Sequence, residues 1–281
     1  MADLNLDADG IERYARHIVM DEVGPGGQAR LLDSSVLVVG AGGLGSPVVQ
    51  YLAAAGVGTL GIADPDVVER SNLQRQVIHG ESDRSQPKVE SARRFVAELN
   101  PDVAVSTHET RVTKENVDEL VSEYDVVVDA ADDFPTQYLL NDACTLAGVP
   151  LSQGSVLEFE GQVTTLSGDP GDPCYRCVFP EAPPAGTVPD CATAGVLGVL
   201  PGTIGCIQAT EAVKQVLGVG ESLSGRLVHY DALGLTVDTV PIQQSPDCPV
   251  CGEDGIETVA EVTYEGQCSI DADRHTDRGN D

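Results

Sequence analysis

The sequence predicts an α/β fold: a doubly wound, Rossmann-like sheet, parallel in its N-terminal half and continuing into antiparallel strands, with a structural zinc site. Three observations carry this. "SVLVVGAGGLGSPVVQ", Ser35 to Gln50, reads as strand, glycine turn and helix. Apolar runs then alternate with helical patterns as far as Gly154, where the pattern changes. Two C-x-x-C pairs lie in the second half.

Taken in order, residues 4–32 have Leu, Ile and Val at helical spacings, interrupted by Gly24-Pro25-Gly26-Gly27, which reads as a break. Short apolar runs at 35–39, 59–63, 103–107, 125–129 and 150–153 predict strands buried on both faces. Helical patterns fall between them at about 44–55, 87–99, 115–122 and 136–147. "SVLEFEGQVTTLSG" predicts an antiparallel pair with its turn at Glu160-Gly161. The Pro- and Gly-rich stretch 179–190 predicts a mobile loop, and a helix is expected over 202–217. Strands are expected near 225–230 and 235–241. The division is then one domain over 1–252, with one half at about 33–154 and a second at about 155–252. An acidic tail, 253–281, is expected to be disordered.

Composition narrows the function. The chain has 281 residues, 45 acidic against 16 basic, and a formal net charge of -29. Such a surface repels nucleic acid and anionic membranes, so direct binding to either is not expected. No apolar run suits a bilayer span, and the acidic start "MADLNLDADG" is not a signal peptide, so a cytoplasmic location is expected. At molar salt the Debye length falls to about 3 Å, which relieves repulsion among crowded carboxylates. Scarce lysine with abundant aspartate therefore points to a halophilic source. Lysine occurs only at Lys88, Lys114 and Lys214, so a lysine in a polar loop draws notice.

The turn Gly40-Ala41-Gly42-Gly43-Leu44-Gly45 has G-x-G-x-x-G spacing. It brings backbone N–H groups to a phosphate at a helix N-terminus. The alternative is a tight turn with no ligand. Asp64 ends the next strand, 19 residues after Gly45, where an acid accepts from ribose hydroxyls. NAD and ATP are equally served to this point. "DPDVVERSNLQRQ", 64–76, then puts Arg75 in a polar loop, and "SQPKVESARR" puts Lys88 at a helix start capped by Ser85 or Gln86. Two added cations suit a triphosphate under attack better than a pyrophosphate already held by the turn. Asp132 and Asp133, at the end of "YDVVVDAADDF", suit Mg²⁺; Asp133 alternatively reads as a helix cap before Pro135.

Cys174-Tyr175-Arg176-Cys177 and Cys248-Pro249-Val250-Cys251 supply four thiolates, the donor set of a closed tetrahedral Zn²⁺ site. Redox-active dithiols and disulfides are the alternatives. Cys191, just past the loop 179–190, is a candidate nucleophile, against the alternative of a small buried side chain. Cys144 and Cys206 read as core. The five histidines show no ligand spacing and read as structural or exposed.

"RYARHI" (13–18), "GAGGLG" (40–45), "DPDVVERSNLQRQ", "QPKVESA" (86–92), "CYRC" and "CPVC" together resemble the MoeB/ThiF/ubiquitin-activating family over about 13–252. The resemblance implies ATP-dependent adenylation of the C-terminal glycine of a small ubiquitin-like β-grasp protein ending in Gly-Gly. It links the product to molybdenum-cofactor synthesis, tRNA thiolation or protein conjugation through Cys191. It assigns Asp64 to the ribose, Asn72, Arg75 and Lys88 to the phosphates, and Asp132 to Mg²⁺. It also implies a homodimer in which Arg16 reaches the partner's site. With no sulfur-donor domain expected after Gly252, a separate protein would supply sulfur. The serine at position 85 replaces the glycine usual in the family, which reads as a minor change. Competing readings are an NAD-dependent oxidoreductase and a non-catalytic zinc-bearing scaffold for a β-grasp partner.

Overall fold

The computed structural model describes residues 6–183 and 194–264. Its elements in order are α1 (Ala8–Arg13), α2 (Ala15–Ile18), α3 (Gly24–Asp33), β1 (Ser35–Val39), α4 (Gly45–Ala55), β2 (Thr59–Ala63), α5 (Lys88–Leu99), β3 (Ala104–His108), α6 (Val117–Ser122), β4 (Val126–Asp129), α7 (Phe134–Ala147), β5 (Leu151–Leu157), β6 (Glu160–Leu166), α8 (Val199–Leu217), β7 (Arg226–Asp231) and β8 (Thr236–Pro241). The strands form one sheet of order β3-β2-β1-β4-β5-β6-β7-β8. β3 through β5 run parallel; β6, β7 and β8 are antiparallel to their neighbours.

The central strands are apolar throughout because both faces are covered. In β1, Val36 and Val38 pack toward α3, α4, α5 and α8, while Leu37 and Val39 pack toward α6 and α7. α4 ends at Gly56 and α7 at Gly148, each with the positive φ that a left-handed helix cap requires.

Three expectations change. Gly24-Pro25-Gly26-Gly27 does not break a helix but opens α3: Pro25 stands in its first turn, where a missing N–H costs nothing. The β5–β6 turn falls at Glu158-Phe159, because Leu157 pairs with Glu160. Gly161 lies inside β6, where a Cβ would come within 2.4 Å of Ile204, so its reason is packing rather than a turn. β4 stops at Asp129, as the run 125–129 predicts, and Asp132 and Asp133 follow beyond it. Finally, 253–264 is ordered against the body: Val259 is fully buried in the α6–α7 core, and the Tyr264 hydroxyl donates to Asp142 at 2.7 Å. No helix among the described residues is long and apolar enough to cross a membrane.

Candidate active site and metal centre

The strand order reverses between β1 and β4, so the connections leave to opposite sides and open a crevice at the carboxyl edge of the sheet. A cleft partly open to solvent lies there. It is lined by the glycine loop after β1, the end of β2, the Arg75 loop, the start of α5 and the loop after β4.

The four glycines of the loop have different reasons. Gly40 has φ +98°, and a Cβ there would meet the Ala130 carbonyl at 2.5 Å; at Gly45 a Cβ would meet the Gly40 carbonyl at 1.9 Å. Both are demanded by the backbone itself. At Gly42 the nearest atom to a Cβ is Gln76 Nε2 at 3.5 Å, and at Gly43 it is Pro201 at 3.1 Å. These two border the cleft, where a side chain would occupy ligand space. α4 begins immediately after and directs its N-terminus at the same space.

Asp64 is buried just past β2. Its Oδ2 accepts from the Ala41 N–H at 2.8 Å and its Oδ1 from the Asp66 N–H at 2.8 Å. Each oxygen keeps one lone-pair direction for a further donor. Lys88 is the first residue of α5 and is 6% exposed. Its Nζ donates to Asp66 Oδ2 at 2.9 Å and lies 3.7 Å from Asp64 Oδ1. The helix cap is Pro87, with no side-chain bond, so neither Ser85 nor Gln86 serves as cap. Ser85 instead takes φ +66° in a turn pinned by its N–H to the Val68 carbonyl. The serine at this position is therefore more than a minor change: it carries a side chain in a left-handed conformation.

Arg75 lines the cleft and its Nη2 donates to Asn72 Oδ1 at 3.3 Å; Asn72 itself stands behind it and does not line the cleft. Asp132 also lines the cleft, with its side chain reaching solvent. Crowding by the protein around it raises its carboxyl pKa, and the negative charge of Asp133 adds to this. Asp133 caps α7, accepting from both the N–H and the hydroxyl of Thr136 at 2.9 Å.

Several residues at the site gave no signal in the sequence. Gln76 is buried and its Oε1 has no partner among the described residues. Asp66, not Asp64, is the nearer acid to Lys88. Arg111 lines the cleft and lies 3.7 Å from Asp133. Asp129 ends β4 fully buried; Oδ1 accepts from Ala131 N–H at 3.0 Å while Oδ2 has no partner among the described residues. Burial pushes its carboxyl up to about 8, and the Asp133 and Asp132 charges push the same way. An unbonded buried oxygen favours the protonated acid there. Pairing of "DAADD" with a strand end was the available clue.

The cleft wall holds three cations, Arg75, Lys88 and Arg111, against four carboxylates, Asp64, Asp66, Asp132 and Asp133. That balance does not neutralise a triphosphate by itself. It fits one accompanied by a hard divalent cation with Asp132 as an oxygen donor. Arg16 is exposed on α2 and does not line this cleft. Cys191 lies outside the described residues, as does most of the loop 179–190.

The four C-x-x-C thiols converge, with all Sγ atoms within 4.8 Å of one another. Cys174 and Cys248 are 3.5 Å apart, Cys177 and Cys251 3.3 Å. All four are free thiols, and four sulfurs at about 2.3 Å from Zn²⁺ would stand nearly 4 Å apart. The set fits that ion closely. A hydrogen bond from Cys174 pulls the Cys248 thiol down, and the Val250 and Cys251 N–H groups add to this. The first pair is docked on α7, where Asn141 Oδ1 accepts from the Tyr175 N–H at 2.7 Å and Asp142 takes the Arg176 guanidinium in a bidentate pair at 2.8 and 2.7 Å. Of the two other cysteines expected in the core, Cys144 is buried, whereas Cys206 is half-exposed on α8.

The ThiF family model matches residues 14–250. A protein from Haloferax volcanii described as "SAMP-activating enzyme E1" is 62% identical over 270 residues, covering 96% of this chain and 99% of that one. A "Sulfur carrier protein adenylyltransferase" from Thermus thermophilus is 48% identical over 92% of this chain and 97% of its own length. "Adenylyltransferase and sulfurtransferase MOCS3" from Sus scrofa is 51% identical, but the chain spans only 58% of it. Among solved structures, Escherichia coli MccB with ATP superposes with a TM-score of 0.75 over 90% of this chain and 77% of that one, at 21% identity, a likeness of fold. A chain matched over this length, with its glycine loop at the sheet's switch point, belongs to the ThiF family.

Proposed function

We propose that the chain is an ATP-dependent adenylyltransferase that activates the C-terminal glycine of a small ubiquitin-like carrier protein. The observation that carries this reading is the convergence of Arg75, Lys88 and Asp132 on the cleft beside the glycine loop. A redox dinucleotide needs the loop and Asp64 but not these three. The names of the full-length Haloferax and Thermus relatives agree with it. The Haloferax relative also suits the halophilic source expected from the net charge of -29.

In this reading Gly42 and Gly43 cradle the phosphates, Asp64 receives the ribose, and Asn72, Arg75 and Lys88 contact the phosphate chain. Mg²⁺ held with Asp132 would supply the positive charge the cleft wall lacks. A carboxylate oxygen of the carrier attacks the α-phosphorus; the bond from that phosphorus to the bridging oxygen of pyrophosphate breaks. The products are a carrier acyl-adenylate and pyrophosphate. Lys88 and Arg75 stabilise charge that develops on the phosphates, and positioning does the rest, so no strong base is required. The acyl-adenylate then serves sulfur transfer, with sulfur from a separate donor protein, or its acyl carbon is attacked by the Cys191 thiolate, the bond to the phosphate oxygen breaks, and a thioester, AMP and the thiol's proton result. Cys191 is five residues along the chain from Val196, which lines the cleft. Zn²⁺ at the four cysteines is structural. The functional unit is a homodimer in which Arg16 completes the partner's cleft, consistent with its position away from its own. We read 1–252 as one domain, with the nucleotide and carrier halves dividing near residue 154.

The test is ATP–pyrophosphate exchange in molar salt, with and without β-grasp proteins ending in Gly-Gly. Carrier-dependent exchange is expected, lost in Lys88→Ala and Asp132→Ala with zinc content intact, and kept in Cys191→Ala. Carrier binding without exchange would select the scaffold reading, and stabilisation by NAD but not by ATP·Mg²⁺ the oxidoreductase.

A further inference from the structure

His79 belongs to none of the sequence motifs, yet it bonds directly to the glycine loop. Its Nε2 lies 2.9 Å from the Ala41 carbonyl oxygen, and its Nδ1 lies 2.8 Å from Ser91 Oγ. A carbonyl only accepts, so Nε2 carries the proton and donates to Ala41. Nδ1 is then the acceptor, and the Ser91 hydroxyl donates to it. Burial lowers the imidazole's pKa, with Lys88 adding to this, and outweighs the opposing Ala41 hydrogen bond and the Asp64 and Asp83 charges, which favours the neutral ring.

Ala41 is thereby held at both ends. Its N–H donates to Asp64 Oδ2 at 2.8 Å, and its carbonyl accepts from His79. A trans peptide is planar, so the Ala41 C=O and the Gly42 N–H point in opposite directions. Ala41 is wholly buried, whereas Gly42 lines the cleft. With the carbonyl drawn to His79 on the protein side, the Gly42 N–H faces the cleft, and it donates to no protein acceptor among the described residues. Ser91 stands on α5, three residues after Lys88. The same imidazole therefore fixes the glycine loop against the helix that carries the phosphate-facing cation.

We propose that His79 is a positioning residue for the nucleotide's phosphates: through Ala41 it aims the Gly42 N–H into the cleft and sets its distance from Lys88. The inference rests on the nucleotide reading of the cleft. It also makes a distinction that a general packing role does not. Loss of the imidazole weakens binding of the phosphates and leaves binding of the nucleoside alone.

The experiment measures binding of ATP·Mg²⁺ and of adenosine by titration calorimetry in molar salt, for wild type, His79→Leu, His79→Gln and Ser91→Ala. One charge-assisted hydrogen bond to a phosphate corresponds to about 10- to 100-fold in affinity. His79→Leu is expected to lose that much for ATP and none for adenosine. His79→Gln, whose amide still donates to the Ala41 carbonyl, is expected to recover most of it. Ser91→Ala, which frees the tautomer but keeps the ring, is expected to lower the ATP-to-adenosine ratio by a smaller factor and covers the case in which His79→Leu does not fold. An unchanged ratio in the folded variants, or equal losses for both ligands, would overturn the proposal. Wild type that binds no ATP would instead overturn the nucleotide reading.

Discussion

Asp142→Asn tests how the C-terminal segment and the first cysteine pair are held to the body. Asp142 is wholly buried on α7 and its carboxylate accepts four hydrogen bonds. Oδ1 receives Asn141 Nδ2 at 2.8 Å and Arg176 Nε at 2.8 Å; Oδ2 receives Arg176 Nη2 at 2.7 Å and the Tyr264 hydroxyl at 2.7 Å. An asparagine keeps one oxygen and puts an NH₂ in place of the other. Two donors then face a donor, and a guanidinium that is 9% exposed loses its counter-charge. Two lost bonds to a charged group cost about 3–6 kcal/mol. Breaking a buried ion pair on one side costs about 3–5 kcal/mol, so the two routes agree. At about 2–4 °C per kcal/mol for a domain of this size, the melting temperature should fall by about 6–20 °C. The double variant Asp142→Leu/Arg176→Met removes both charges and should recover most of the loss. The assay is a thermal melt of zinc-loaded protein at fixed molar salt, where exposed ion pairs are screened but this one is not. A single variant within about 1 kcal/mol of wild type, or a double variant as unstable as the single, would refute the reasoning.

Ser85→Gly should stabilise the fold. A non-glycine residue at φ +66° bears a left-handed penalty of about 1–2 kcal/mol, of which glycine's extra unfolded freedom returns about 0.4–1 kcal/mol; a urea midpoint that falls instead would show that the serine side chain contributes a contact. Asp129 gives a pH dependence of defined sign. Its folded pKa, about 8, lies above its unfolded value, so the folded state binds the extra proton and stability falls as pH rises from about 4 to 8. Asp129→Asn, which keeps the oxygen that accepts from Ala131, should flatten that fall in a pH series of denaturant melts, and an unchanged slope would count against a buried protonated acid. Removing metal from the cysteine cluster with a strong chelator should lower the melting temperature and expose 245–264 to protease, because two of the four ligands carry that segment; protection unchanged after chelation would mean that packing alone holds it.

The parallel half of the fold was legible because its signals are local. β1 and β2 are unbroken apolar runs closed by a glycine turn and an acid, and the structure places both strands at the expected residues. What was misread depended on contacts distant in sequence. Gly161 looks like a turn residue until Ile204 of α8 is seen against it. Acidic composition suggested disorder from residue 253, but one valine and one tyrosine find partners on α6 and α7. At the site, Asp64, Arg75, Lys88 and Asp132 announce themselves by spacing, while Asp66, Gln76 and His79 do not. Their importance lies in which atom each one faces, and that is set by the turn 64–88 folding back so that Val68 pairs with Gln86 and Lys88 with Asp66.

α7 connects the two halves of the molecule by a regularity that neither half displays alone. Asp133 caps its N-terminus beside the cleft, and one turn on, Gln137 Nε2 donates to the Ala131 carbonyl of the Asp132 loop at 3.2 Å. A further turn along the same face, Asn141 holds the Tyr175 backbone of the cysteine turn. Residues four apart on a helix share a face, so this series runs from the cleft to the metal centre along one rigid edge. The neighbouring series, Tyr138 and Asp142, fixes the chain just beyond the cysteine turn. The Tyr138 hydroxyl reaches the Phe179 and Glu181 carbonyls at 3.0 and 2.8 Å, and the Arg176 held by Asp142 donates to the Pro180 carbonyl at 3.0 Å. The chain is described again from residue 194, and two residues later Val196 lines the cleft. One helix therefore bonds the loop beside the cleft at its start and the Cys174–Cys177 turn two turns further on, so the two sites share a single rigid support.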